Sequence, residues 1–190
     1  SNCWDKQASS IYGFWMMDSA TVNIEMYGQT EFDIMYCGET NYYDGYTYQN
    51  DALVLNFDQS GIGGEYYLDP SLCGADEIEI TSPDLTWSFT VNGSTLAIDF
   101  GYYYGYTDIT EFTILEIDEN SLVLNLTDSY GGNSIDVIYD FHRISASSEE
   151  YSMRTTNKKK SESYLKRFQN NFSCPSNIFQ GGIRGLNMRQ

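Results

Sequence analysis

Residues 109–144 read ITEFTILEIDENSLVLNLTDSYGGNSIDVIYDFHRI, and their pattern decides the fold. Three runs of alternating apolar and polar residues follow one another. In the second, Leu122, Leu124 and Leu126 fall on one face of an extended chain and Asn125 and Thr127 on the other; in the third, Ile135, Val137, Tyr139, Phe141 and Arg143 share a face. The joins, Asp118-Glu119-Asn120-Ser121 and Gly131-Gly132-Asn133, are rich in residues that tolerate positive φ, so the stretch predicts three strands linked as hairpins. Arg143 breaks the pattern by placing a charge on an apolar face at the end of the last strand. A guanidinium there needs a partner inside.

The same alternation runs through the N-terminal side. In TWSFTVNGSTLAIDF, residues 86–100, Trp87, Phe89 and Val91 line one side, Asn92-Gly93 makes the turn, and Leu96, Ile98 and Phe100 return on that side. Leu53, Leu55 and Phe57 alternate with Val54 and Asn56 after an Asp44-Gly45 turn, and Phe32, Ile34 and Tyr36 alternate with Asp33, Met35 and Cys37. Shorter runs, 65–68 and 78–80, flank an Asp69-Pro70 break. Trp15 shares a face with Met17, and Val22, Ile24 and Met26 form a second set, so residues 11–27 read as one long bent strand or a hairpin. No helical periodicity precedes Ser145. About ten short strands, with turns at intervals of roughly 8 to 12 residues, leave a sandwich or an up-and-down barrel. The short turns favour a meander, and a meander this long removes its exposed edges most simply by closing.

The chain has 190 residues, 41% of them hydrophobic and 16% aromatic, enough to bury the core of one domain. Its formal net charge of -17 is uneven: Lys6 and Arg143 stand against 24 carboxylates up to residue 144, a net of -22, whereas residues 145–190 carry +5. Such a body repels nucleic acid and anionic membrane. No apolar run is long enough to cross a bilayer as a helix. Composition shifts at the same place, from Tyr, Asp and Gly to Ser, Asn and Lys, so the expected organisation is an arm over residues 1–10, a β-domain over 11–144 and a basic tail over 145–190. The tail is too polar to offset its ordering entropy and is expected to be mostly disordered, with one short helix around Tyr164, Leu165 and Phe168. The chain begins at Ser1, close to Cys3, which suits an exported protein with a lipid anchor at Cys3; a free or disulfide-bonded thiol is the alternative.

Gly13-Phe14-Trp15 at the start of the first strand, together with Arg143 on the inward face of the last, resembles the lipocalin arrangement, in which a G-x-W tryptophan at the closed end of the barrel packs against a basic side chain from a late strand. The segments TWSFTVNGSTLAI and FTILEIDENSLVLNL are similar to the hairpins of small bacterial lipocalin-like domains, many of which are exported lipoproteins. The resemblance covers residues 11–144. It implies an all-β antiparallel up-and-down barrel of about eight to ten strands, with Trp15 and Arg143 at its closed end. A guanidinium over an indole face gains about 0.5 to 2 kcal/mol.

Catalytic chemistry is scarce. His142 alternates to the outward face beside Asp140 and reads as a surface residue, and no metal-ligand spacing, phosphate-cradling loop or Ser-His-Asp set is present in the sequence. Cys3, Cys37, Cys73 and Cys174 lack C-x-x-C spacing. Cys37 and Cys73 bracket a Tyr-rich region and read either as a disulfide, in an oxidising compartment, or as two reduced thiols. Seventeen tyrosines include two clusters, Tyr42, Tyr43, Tyr46 and Tyr48, and Tyr102, Tyr103, Tyr104 and Tyr106. A flat face with a hydroxyl suits the mouth of a ligand pocket or a sugar-stacking platform, and it also suits the outer face of a strand. The expected function is therefore non-catalytic, without cofactor or metal: an exported, monomeric barrel holding a small apolar or amphipathic molecule. Tyr46, Tyr48, Trp87, Phe89, Tyr104 and Tyr106 are its expected ligand-facing residues. A carbohydrate-binding or adhesive β-domain using the exposed tyrosines is the alternative.

Overall fold

The computed structural model describes residues 10–103 and 106–148, and for 102, 103, 106, 107 and 148 the backbone alone. The arm up to residue 9, with Cys3, and the tail beyond residue 148 lie outside the described residues. Twelve strands are described: β1 (Gly13–Met26), β2 (Gln29–Tyr36), β3 (Thr40–Tyr43), β4 (Tyr46–Gln49), β5 (Ala52–Phe57), β6 (Ile62–Leu68), β7 (Glu77–Ile80), β8 (Leu85–Asn92), β9 (Thr95–Tyr103), β10 (Tyr106–Ile117), β11 (Ser121–Tyr130) and β12 (Asn133–Ser148), with a 3-10 turn at Pro70–Leu72.

Eight of these close into an antiparallel barrel. Its wall runs β1-β5-β6-β8-β9-β10-β11-β12, and β12 returns to β1 with Phe14 opposite Ile144 and Ile24 opposite Ile135. The fold class read from alternation and turn spacing is thus the one the chain adopts, and the β12–β1 pairing closes the wall along the full length of β1. Within residues 11–27, Gly13–Met26 form one strand, not a hairpin. A register shift between Met17 and Ser19 lets its two halves serve different neighbours: Gly13–Met16 pairs with β5, and Ser19–Met26 pairs with β2. The barrel seam therefore opens above Met17, and β2 extends one lip of the mouth. The β3–β4 hairpin is a separate two-stranded sheet.

Inward positions alternate as the pleat requires. Trp15, Phe57, Trp87, Phe89, Leu96 and Leu122 belong to one buried cluster that fills the barrel toward its closed end. A second cluster lies on the outer face, where Met16, Val54, Tyr66 and Ile144 meet Ile78 and Ile80. That outer face is apolar because residues 69–80 fold down over it. Parallel pairing of β7 with residues 145–148 holds this cover at one end, so β12 runs four residues past the shift in composition at residue 144. The bond between Cys37 and Cys73 fixes it at the other.

One glycine marks how tightly the interior is built. At Gly63, opposite Trp87 in the β6–β8 ladder, a Cβ would stand 2.1 Å from Trp87 Cζ3 and 2.5 Å from the Asn56 carbonyl oxygen. Neither group has room to yield, because the indole is buried and the carbonyl belongs to the wall. Gly63→Ala is expected to destabilise the barrel by about 1 to 3 kcal/mol, read as a lower urea midpoint at unchanged slope. An unshifted midpoint would show that Trp87 does not lie over this strand.

Candidate functional site

The two ends of the barrel differ in chemistry. At the closed end the Arg143 guanidinium carbon sits 4.0 Å from the Trp15 ring centroid. Arg143 Nε donates to the Glu119 carbonyl at 2.7 Å, Nη1 donates to the Tyr12 carbonyl at 2.8 Å, and Nη2 donates to the Ser10 carbonyl. The charge on the apolar face thus meets an aromatic face and three backbone acceptors, which is how it is tolerated inside. Burial pulls its pKa down to about 10, with the charges of Asp118 and Glu119 acting the other way. Trp15 is itself fully buried and donates its indole N–H to the Ile11 carbonyl at 2.8 Å. Gly13 is required beneath this arrangement: its φ is +123°, and a Cβ there would stand 2.8 Å from Arg143 Nη1.

Toward the mouth the inward face turns polar and partly open. Register places Leu53 opposite Tyr67 and Leu55 opposite Glu65, so Glu65 and Tyr67 project to the same side as the buried Leu55. Tyr67 O–H donates to Glu65 Oε2 at 2.5 Å, and Asp84 Oδ2 accepts the Tyr67 backbone N–H at 2.7 Å. Tyr139, inward on β12, is half-buried and packs against Phe112 and Phe141. Burial raises the pKa of its hydroxyl, and the Glu65 carboxylate pushes it further the same way. Tyr67 is 49% exposed although it faces inward, so solvent reaches this level of the lumen. Below it Trp87, Phe57, Phe89 and Phe100 form an aromatic floor with ring centroids 5.0 to 6.5 Å apart. Trp87 is 4% exposed, and its Nε1 has no hydrogen-bond partner among the described residues.

An eight-stranded antiparallel barrel, closed at one end by Gly13, Trp15 and Arg143 and open at the other, is now in place. The fold is a lipocalin-like β-barrel. Solved structures similar to it include a lipocalin-like protein from Bacteroides uniformis (15% identity, TM-score 0.35, covering 71% of this chain and 99% of that one). Insecticyanin from the tobacco hornworm Manduca sexta is similar at 8% identity and a TM-score of 0.43, over 87% of this chain and 75% of that one. Lobster apocrustacyanin A1 is similar at 19% identity and a TM-score of 0.29, over 87% and 77%. No protein-family model and no curated protein sequence matches the chain.

The lipocalin-like wall brings together only part of the residue set expected from the sequence. Trp87 and Phe89 lie inside, at the floor of the lumen. Tyr46 and Tyr48 do not: they stand 77% and 54% exposed on β4, in the hairpin outside the wall, because the β3–β4 turn pairs with itself and not with the barrel. Tyr104 lies outside the described residues, and for Tyr106 only the backbone is described, paired with Tyr103 at the start of β10. Sequence reading placed Tyr139 on the inward face of its strand but missed Glu65 and Tyr67 as lumen residues. The Gly63-Gly64 pair interrupts the alternation that would have set the face of β6. The chain's single His142 is more engaged than a surface histidine. Its Nδ1 lies 2.7 Å from Asp18 Oδ1 and its Nε2 2.9 Å from the Ala75 carbonyl, so it ties β12 to β1 and to the outer cover.

The Glu65–Tyr67 pair has a titration signature. Its hydrogen bond to Glu65 pushes the Tyr67 hydroxyl up to about 12, with burial and the charges of Glu65 and Asp84 adding to the effect. The folded value lies above the ordinary tyrosine value of about 10, so the pair's contribution to stability is intact below about pH 10 and is lost as pH rises through 12. Tyr67→Phe is expected to remove the highest step from the phenolate absorbance titration and to flatten the fall in stability over that window. Persistence of that step in the variant would reassign it to another tyrosine.

Proposed function

We propose that this protein is a non-catalytic binding protein, exported and monomeric, whose barrel takes up a small apolar or amphipathic molecule. The observation that carries the reading is the contrast within the lumen. Its lower half is packed with buried aromatic and aliphatic side chains, whereas its upper half leaves Leu53, Phe100 and Tyr139 only partly buried and Tyr67 half-exposed. An apolar floor under a few placed polar groups is the usual build of a small-molecule site. The Cys37–Cys73 bond supports an oxidising compartment, and a lipid anchor at Cys3 fits the same destination. A binding role also accords with His142, the residue best suited to proton transfer near neutral pH: both of its ring nitrogens are held by Asp18 and the Ala75 carbonyl.

Titration with retinol, haem and neutral long-chain alcohols tests the reading through tryptophan fluorescence. Trp87 lies at the lumen floor, so a bound apolar molecule should quench or shift its emission saturably. Flat titrations across the panel would remove the lumen as a site.

One observation favours a second reading. In the β3–β4 hairpin Tyr43 lies opposite Tyr46 and Asn41 opposite Tyr48, two positions along, so Tyr43, Tyr46 and Tyr48 share one face, all of them exposed. Such a row is the form a sugar-stacking platform takes. Binding on a glycan array that Tyr46→Ala and Tyr48→Ala abolish, alongside flat lumen titrations, would transfer the function to that hairpin.

A further inference from the structure

The barrel is lopsided in charge. Arg143 is the only Lys or Arg among the described residues, and its donors are spent on backbone carbonyls at the closed end. The lumen instead holds the Glu65 carboxylate, which takes one hydrogen bond from Tyr67 and faces no cation among the described residues. A fatty-acid head group entering the mouth would meet this carboxylate and no positive charge among the described residues. A protonated amine would meet an acceptor in a partly desolvated site, where a charge-assisted hydrogen bond is strong.

Trp87 supplies an independent observation. Its benzo carbons Cζ3 and Cη2 lie over the Gly63 backbone, so the indole edge that carries the unpartnered, buried Nε1 is on the side of the ring away from Gly63. The rings around it, Phe57, Phe89 and Phe100, offer no oxygen or nitrogen. A buried N–H without a partner bears the full penalty of its lost solvation. A ligand oxygen at that depth would recover this. Glu65 and Trp87 lie on the same face two rungs apart, Glu65 opposite Leu85 and Gly63 opposite Trp87, which offsets their backbone positions by about 7 Å along the strand.

Building on the lumen reading above, we infer that the barrel selects a cationic amphiphile: a protonated amine held by Glu65, carried on a flat apolar body whose ether or hydroxyl oxygen accepts the N–H of Trp87. The amine sits at the solvent-reached level beside Tyr67, and the flat body lies on the aromatic floor.

Calorimetry with four matched probes at moderate salt tests this. Naphthyloxyethylamine, naphthyloxyethanol and naphthyloxyacetate differ only in head charge, and naphthylpropylamine replaces the ether oxygen of the first by carbon. The amine is expected to bind at least about tenfold tighter than the carboxylate, the size of one charge-assisted hydrogen bond. Glu65→Gln should abolish that preference while retaining the fold, and Glu111→Gln, at an exposed position away from the lumen, should leave it intact. The ether amine should also bind several-fold tighter than its carbon analogue, and Trp87→Phe should erase that difference, with thermal melting showing the variant folded. Equal binding of all three head groups would overturn the inference and leave the lumen as an unselective apolar site. Absence of binding by every probe would overturn both.

Discussion

Arg143→Ala is expected to destabilise the domain by about 3 to 5 kcal/mol, more than any exposed substitution would. Stacking on a desolvated indole is worth up to about 2 kcal/mol. The larger cost is what the substitution leaves behind: the carbonyls of Ser10, Tyr12 and Glu119 lose a charged donor in a site from which water is excluded. These terms are not additive, and the range reflects that. Arg143→Lys keeps the charge but presents one nitrogen where three donors are needed, so it should recover less than half of the loss. Urea denaturation of the three proteins measures both. A loss below about 1 kcal/mol for the alanine variant would mean that the closed end is held by apolar packing alone.

The second large effect concerns the cover over the outer face. The Cys37–Cys73 bond closes a loop with a sequence separation of 36 residues, and a cross-link of that span restricts the unfolded chain by about 3 to 4 kcal/mol. Replacing both cysteines by alanine is expected to lower stability by that amount. The loss should not fall evenly. The 3-10 turn at Pro70–Leu72 contains no buried residue, so once the bond is gone its hold is weak, whereas the barrel wall keeps its hydrogen-bonded closure. Hydrogen exchange should therefore quicken first at Leu72, Cys73 and Ala75, whose amides donate across this turn, and last in β11 and β12. Uniform acceleration across the barrel would show that the cover and wall unfold as one unit.

Much of the barrel was legible because period-two alternation is a physical consequence of burying one face. Leu122, Leu124, Val137 and Phe141 announced their side, and so did the turn at Asn92-Gly93. The pairing of Trp15 with Arg143 was legible in two steps: the charge on a core face showed that a partner was needed, and the resemblance of Gly13-Phe14-Trp15 to the lipocalin arrangement pointed to Trp15. Three features were not. Register in β6 is hidden by two adjacent glycines, so the lumen carboxylate at Glu65 could not be assigned a face. The outer cluster of Met16, Val54 and Tyr66 reads locally as apolar residues on the wrong side, and only the long-range return of residues 69–80 explains it. The tyrosine clusters read equally as a pocket mouth, a sugar platform or an outer strand face because composition carries no topology; the self-paired β3–β4 hairpin sets Tyr46 and Tyr48 outside the wall.

Export, too, rests on chemistry that a cell can test. A disulfide persists where the environment is oxidising, so the Cys37–Cys73 bond should be intact in protein recovered from outside the cytoplasm and reduced in protein retained within it.

We propose the lumen, and not the tyrosine hairpin, as the ligand site of this molecule. Amide chemical-shift mapping during titration with naphthyloxyethylamine tests it most directly. The expected result is that shifts concentrate at Leu53, Glu65, Tyr67, Trp87 and Tyr139 and spare Tyr43, Tyr46 and Tyr48. Shifts confined to the β3–β4 hairpin, with the lumen amides unmoved, would contradict it.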